Sequence, residues 1–260
     1  MALLADDLTT ETAVLESLVE PLDAEGWLTP TPAEGWTVLD QVGHLAYFDE
    51  AASTSATDPD RFRALRDEAL ADPNGITETA AARYRSLGGP QVLKEFQSAR
   101  AALFDVFRAI DPALRVPWYG PDMSAASSLT ARIMETWAHG QDVVDALGAT
   151  RPQTPALRHV AHIGVRAFPN SFLANGLDVP AAAVFVELTS PEGETWTWGP
   201  ADTADRVRGP AVDFCLVVTR RRHVDDTALE VTGPAATSWM PIAQAFAGPP
   251  GSGRRPGQFA

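Results

Sequence analysis

The chain has 260 residues, 45% hydrophobic and 21% charged, a length and composition that allow one large domain or two modest ones with real cores. Its formal net charge of -14 argues against a nucleic-acid partner, because that binding is driven by Lys and Arg neutralising phosphates. No apolar run approaches the roughly 20 residues of a membrane span, and the first residues place acidic groups where a secretory signal needs basic ones.

A cytoplasmic protein with no membrane partner is therefore expected, and the lone cysteine, Cys215, fits a reducing compartment and a packing role. The excess negative charge is confined to one part: residues 1–150 carry 10 Lys plus Arg against 24 Asp plus Glu, residues 151–260 carry 10 against 10. A Gly/Pro-marked break at 148–155 coincides with that change, so two domains, 1–150 and 151–260, are expected. One Lys beside nineteen Arg, with abundant Ala and Pro, points to a GC-rich genome.

In chain order, Leu4, Leu8, Leu15, Leu18 and Leu22 recur at helical steps, which predicts a first helix packed along one stripe. After a turn through Gly26, Pro30 and Pro32, Thr37 followed by Asp40 resembles a capping box and predicts a helix running through His44. Two short helical patterns follow at 59–70 and 77–86. Pro90 then opens a longer one carrying Val92, Phe96, Leu103, Phe107 and Ile110, and another is predicted over 127–147, ending at Gly148. Long helices with irregular connections default to an antiparallel bundle. Beyond Pro155 the pattern becomes mixed: one helix to about residue 173, strands at 183–189 and 194–198, a helix at 211–221, a short strand at 229–231 and a helix at 237–247. A Gly/Pro/Arg-rich tail, 248–260, is expected to be mobile.

Glu135 and His139 are four residues apart on the helix predicted over 127–147, so their side chains share one face and can share one cation. A helical wheel puts Leu129, Ile133, Gly140, Val143 and Leu147 on one stripe and Thr130, Gln141 and Asp145 on an apparent solvent face. Glu135, His139 and Asp142 fall on neither. Imidazole nitrogen and carboxylate oxygen suit a divalent ion such as Zn²⁺, and His44 is the one histidine of the bundle region outside that helix. Spacing alone leaves a second account open, in which Glu135 and His139 are a surface pair and His44 is an unrelated core histidine.

Two runs bear on that choice. Trp36-Thr37-Val38-Leu39-Asp40-Gln41-Val42-Gly43-His44-Leu45 resembles the metal-ligand helix of the DinB-like superfamily, particularly its mycothiol-dependent maleylpyruvate isomerase branch. Glu135-Thr136-Trp137-Ala138-His139-Gly140-Gln141-Asp142 resembles that branch's second ligand segment. The resemblance implies a mainly α protein, with an N-terminal DinB-like four-helix bundle and a smaller C-terminal α+β domain. It implies metal ligation by His44, Glu135 and His139, with zinc the expected ion and mycothiol the thiol cofactor. The run Asp213-Phe214-Cys215-Leu216-Val217-Val218-Thr219-Arg220 is similar to the branch's C-terminal helix ending in an arginine, which assigns Arg220 a catalytic and cofactor-binding role. The bland account of Arg220, Arg221 and Arg222 is that cations favour any helix C-terminus.

The function so implied is a metal-dependent enzyme that uses a low-molecular-weight thiol to isomerise or conjugate a small electrophile. A metal-dependent hydrolase and a non-catalytic metal or ligand-binding protein are the alternatives, and a homodimer is the assembly considered. Among other features, the Trp118-Tyr119-Gly120-Pro121 turn with Met123 could wall a substrate pocket, but an aromatic turn packed on itself is the favoured reading, and Trp137 reads as core packing ahead of substrate stacking. His159 and His162 lack a carboxylate partner, and Asp142 is a candidate acceptor for a ligand imidazole N–H. No Gly-x-Ser-x-Gly elbow, phosphate loop or dinucleotide fingerprint is present.

Overall fold

The computed structural model describes residues 1–71, 75–246 and 248–259. It divides into two compact units, 1–152 and 153–260. The elements of the first are α1 (Ala2–Val19), α2 (Ala24–Trp27), α3 (Val38–Thr57), α4 (Pro59–Ala71), α5 (Ile76–Ala82), α6 (Gly89–Ala109), β1 (Arg115–Val116), β2 (Met123–Ser124) and α7 (Ala125–Leu147). Helices α1, α3, α6 and α7 form the bundle: α3 packs on both α6 and α7, and α1 packs on the same two from the other side.

Local chemistry fixes the ends of the two helices that matter most. At the start of α3 the Thr37 backbone N–H and hydroxyl both donate to Asp40 Oδ2 at 2.8 Å, so the predicted capping pair is formed. Asp40 is held in turn by the Nε of Arg85, at 2.7 Å. Helix α7 begins where Ser124 Oγ accepts the Ser127 N–H at 3.1 Å, and it ends at Gly148, whose φ of 59° is the left-handed conformation a helix stop favours. Leu15, Val19, Trp27, Val42, Leu45, Tyr84, Phe96 and Val143 build one cluster of the bundle core. Gly89 lies so close to Trp27 that a Cβ there would sit 2.1 Å from the indole Cγ, which is why α6 starts on glycine.

The second unit comprises α8 (Leu157–Arg166), α9 (Phe168–Ala174), β3 (Phe185–Thr189), β4 (Thr195–Trp198), β5 (Arg206–Pro210), α10 (Ala211–Val218), β6 (Glu230–Thr232) and α11 (Pro234–Trp239). Its sheet has the order β4-β3-β5-β6; β3 and β5 run parallel and the two outer pairings are antiparallel. Asp205 Oδ1 accepts the N–H groups of Ala235 and Ala236 at 2.6 and 3.1 Å, tying α11 to the start of β5. The fold is thus mainly α with a smaller α+β part, as expected from the sequence.

Several expectations change in detail. The helix predicted from 155 to 173 is two, α8 and α9, because Pro169 has no N–H to continue the ladder and instead opens α9. The helix expected over 237–247 starts at Pro234 and gives way to a 3-10 turn containing Pro241; its expected last residue, Ala247, lies outside the described residues, as does Ala260 of the tail. Strand β5 has no counterpart among the expected strands. In the tail, the Gly257 N–H donates to Asp226 Oδ1 at 2.6 Å, and the Arg222 guanidinium lies 4.1 Å from the ring centre of Phe259. No helix among the described residues is long and apolar enough to cross a membrane.

Candidate metal centre

Helices α3 and α7 bring His44, Glu135 and His139 together. Among the described residues these three form the group whose donor atoms all lie within 4.8 Å of one another. Glu135 Oε2 is 3.5 Å from His44 Nε2 and 3.1 Å from His139 Nε2. Bond lengths of 2.0–2.2 Å to a tetrahedral ion imply ligand-to-ligand edges of about 3.3 Å, so the donors already stand near the separations a shared cation needs. His44 is 7% exposed, and its Nδ1 is buried with no hydrogen-bond partner among the described residues.

The ring of His139 is held by Gln41, also on α3 and fully buried. Gln41 Nε2 donates to Thr31 Oγ1 at 2.9 Å, and the Thr31 hydroxyl donates to the Trp36 carbonyl at 3.0 Å. That directional chain leaves Gln41 Oε1 as the acceptor for His139 Nδ1–H, at 2.5 Å. With Nδ1 committed there, Nε2 is the ring nitrogen that faces the Glu135 carboxylate. At 3.1 Å from Glu135 Oε2, that nitrogen is close enough for a hydrogen bond and equally placed to share a cation with the carboxylate.

The electrostatics also suit a shared cation. Burial, reinforced by repulsion from His139, lowers the His44 pKa to about 4 against the opposing pull of Glu135, so the imidazole is neutral at pH 7 and its lone pair is available. For Glu135, burial alone raises the pKa, but hydrogen bonds from His139 and His44 and the nearby Arg132 charge outweigh it and hold the carboxylate well below its ordinary range. Aromatic rings close the surroundings: Trp36 lies 5.3 Å from the His44 ring and stacks at 6.0 Å on His139, and Phe48, one turn after His44, is 4.5 Å from it.

The MDMPI_N model, described as the mycothiol maleylpyruvate isomerase N-terminal domain, matches residues 8–144, more than half of the chain and all of the donor group. The chain belongs to this family. Within the mycothiol maleylpyruvate isomerase family the fold extends further: the crystal structures of the mycothiol-dependent maleylpyruvate isomerase and of a single-site mutant superpose with TM-scores of 0.60 and 0.61. Each is 17% identical and covers 92% of this chain and 94% of the other. At that identity the likeness speaks for fold alone. Two uncharacterized proteins from two strains of Mycobacterium tuberculosis are each 46% identical over 248 residues, covering 95% of this chain and 96% of theirs. Residues 180–232, in the second unit, also match a model described as wyosine base formation.

Other sequence-singled residues sort plainly. Asp142 is buried, yet it serves neither ligand imidazole: His139 is taken by Gln41 and Glu135, and His44 meets Glu135 through Nε2 and nothing through Nδ1. Gln41 takes the accepting role expected of it. Gln141, placed on the solvent face by the wheel, is 8% exposed and donates to Asp145 at 2.9 Å. Trp137 is core, with Arg151 over its ring and donating to its carbonyl. Trp118 stacks on Phe62 at 5.8 Å and Tyr119 meets both edge-on, while Phe48 joins this aromatic group to His44. His162 accepts from Trp198 Nε1 at 3.3 Å.

Arg220 sits just after α10 with φ of 63°, the left-handed region a non-glycine residue rarely occupies. Its Nε is buried with no hydrogen-bond partner among the described residues. Burial, and then the charge of Arg254, lower its pKa. It lines a small hollow together with Arg222, His223, Met240 and Arg254.

Proposed function

We propose that this chain is a metal-dependent enzyme that uses a low-molecular-weight thiol, mycothiol, to isomerise or conjugate a small electrophilic substrate. The observation that carries the reading is the convergence of His44 Nε2, Glu135 Oε2 and His139 Nε2 from two helices, with the Nδ1 proton of His139 already spent on Gln41. Membership of the mycothiol maleylpyruvate isomerase family supports the thiol.

His44, Glu135 and His139 would hold the ion, and zinc fits two imidazoles and a carboxylate. A divalent ion there lowers the pKa of a bound thiol so that it is a thiolate at neutral pH, and three protein ligands leave a position open. The protein's own part is to keep His44 neutral, to fix the His139 tautomer through Gln41, and to screen the donors from water with Trp36 and Phe48. Arg220 is assigned to pairing with an anionic group of thiol or substrate; its left-handed φ belongs to the helix stop that its N–H and that of Arg221 make on α10, and its partnerless buried Nε supports the further role.

Purified protein should contain about one equivalent of metal, and mycothiol added to the cobalt-substituted form should shift its visible spectrum toward a sulfur ligand. An unchanged spectrum with no thermal stabilisation by mycothiol argues against a thiol cofactor. Turnover of simple esters without any thiol would establish a hydrolase instead.

A further inference from the structure

Arg132 is a buried cation short of partners. It lies on α7, one turn before Glu135, and is 3% exposed, yet its Nη1 has no hydrogen-bond partner among the described residues. It forms an ion pair with Asp49 Oδ1, itself without a hydrogen-bond partner among the described residues, but the 3.8 Å separation is beyond hydrogen-bond reach. The other Asp49 oxygen is taken by Arg100 Nε at 2.6 Å, so one carboxylate serves two guanidinium groups. Arg100 has further acceptors in the Thr12 and Thr136 hydroxyls.

The surroundings compensate Arg132 only in part, through the faces of two aromatic rings rather than through a hydrogen-bond acceptor. Its guanidinium carbon lies 5.8 Å from the centre of the Phe48 ring and 5.9 Å from that of Trp118, and Phe48 in turn touches the His44 ring. The neighbouring carboxylate, Glu135, is committed to the two histidines. A divalent ion between those donors would add to the positive charge. A buried guanidinium nitrogen that makes no hydrogen bond has not recovered the solvation it lost on folding, and an anion brought in from outside supplies the missing acceptor.

We propose that Arg132 is the anchor for a carboxylate of the small molecule that the metal centre acts on, an inference that rests on the proposed function above. A guanidinium offers a planar fork that matches a carboxylate in two parallel hydrogen bonds. Held beside Phe48, that carboxylate places the rest of a small acid next to His44. Water excluded by the aromatic rings strengthens the pairing and makes the site discriminate acids from their neutral esters.

The test is calorimetric titration of maleate and of dimethyl maleate into wild-type, Arg132→Met and Arg132→Lys proteins, each with and without metal, with metal content measured on the same samples. Maleate binding is expected to weaken at least tenfold in Arg132→Met and less in Arg132→Lys, in both metal states, whereas dimethyl maleate binds all three alike. Equal maleate affinity in wild type and Arg132→Met overturns the proposal. Wild-type protein that takes up no metal refutes the metal-centre reading, while the metal-free titrations still decide Arg132. If neither variant folds, a structure of wild-type crystals soaked in maleate decides: a carboxylate within hydrogen-bond distance of Arg132 is expected, and maleate bound elsewhere with Arg132 untouched overturns the assignment.

Discussion

Gln41 Oε1 lies 2.5 Å from His139 Nδ1, and this contact decides which nitrogen of His139 faces Glu135. Both ends of the Gln41 amide are used, since its Nε2 is bonded to Thr31, so the side chain cannot flip without breaking a buried bond. Outer partners of this kind orient a ligand imidazole and raise its basicity.

Replacing Gln41 by Leu keeps the volume and removes the acceptor. Metal affinity, measured by chelator competition, should fall about 10- to 100-fold, with helix content unchanged. Gln41→Glu keeps an acceptor toward Nδ1 and should retain more of the affinity than Leu does. Equal affinity in all three proteins would mean that Gln41 merely fills space.

The donors themselves were legible in the sequence and their supports were not. A Glu and a His four apart announce a shared helical face, and the Thr37/Asp40 cap announces the helix that carries His44. Gln41 offers no such signal, because a lone polar residue in a helix reads as solvent-facing, and only the packing of α3 on α7 shows it to be fully buried. The same limitation put Gln141 on the wrong face. Strand β5 escaped notice because Arg206, Arg208, Gly209 and Pro210 carry little strand propensity; its place is set by pairing with β3 on one side and β6 on the other, with Val207 its one buried residue.

The three donors should not be equivalent on removal. His44→Ala takes away the only ligand from α3 and leaves a pair on a single helix turn, so bound metal in the purified protein should fall from about one equivalent to near zero by elemental analysis. Glu135→Gln keeps the shape but removes the charge that offsets the ion, and its metal should be lost to mild dialysis. Full occupancy in His44→Ala would place the ion elsewhere.

Acid should destabilise the metal-free protein in a definite window. The His44 pKa is lowered from 6.5 to about 4 on folding, so between those values the unfolded chain binds the extra proton and stability rises with pH. Glu135, held well below its ordinary range, works in the same direction at still lower pH. Stability present above pH 6.5 should therefore decline as pH falls toward 4 and below, by an amount on the order of a few kcal/mol. Denaturant melts of wild type and His44→Phe across pH 4–7 check this, and the variant should show the shallower slope.

Gly89 tests how far the bundle depends on one close approach. Its Cα faces the indole of Trp27, and an added Cβ would lie 2.1, 2.2 and 2.3 Å from three ring carbons. Trp27 is 2% exposed and sits in the same core cluster as Val42 and Leu45, which flank His44 on α3. A rigid ring with no room to retreat has to move as a whole, and overpacking of this kind costs about 1–3 kcal/mol. The helix propensity of Ala over Gly returns at most about 1 kcal/mol at this terminal position. Gly89→Ala should therefore lower the unfolding free energy despite being the better helix former. Because the strain falls between α6 and α2, neither of which carries a donor, metal affinity should change less than in Gln41→Leu, and comparing the two variants by chemical denaturation and chelator competition separates global packing from local support of His139.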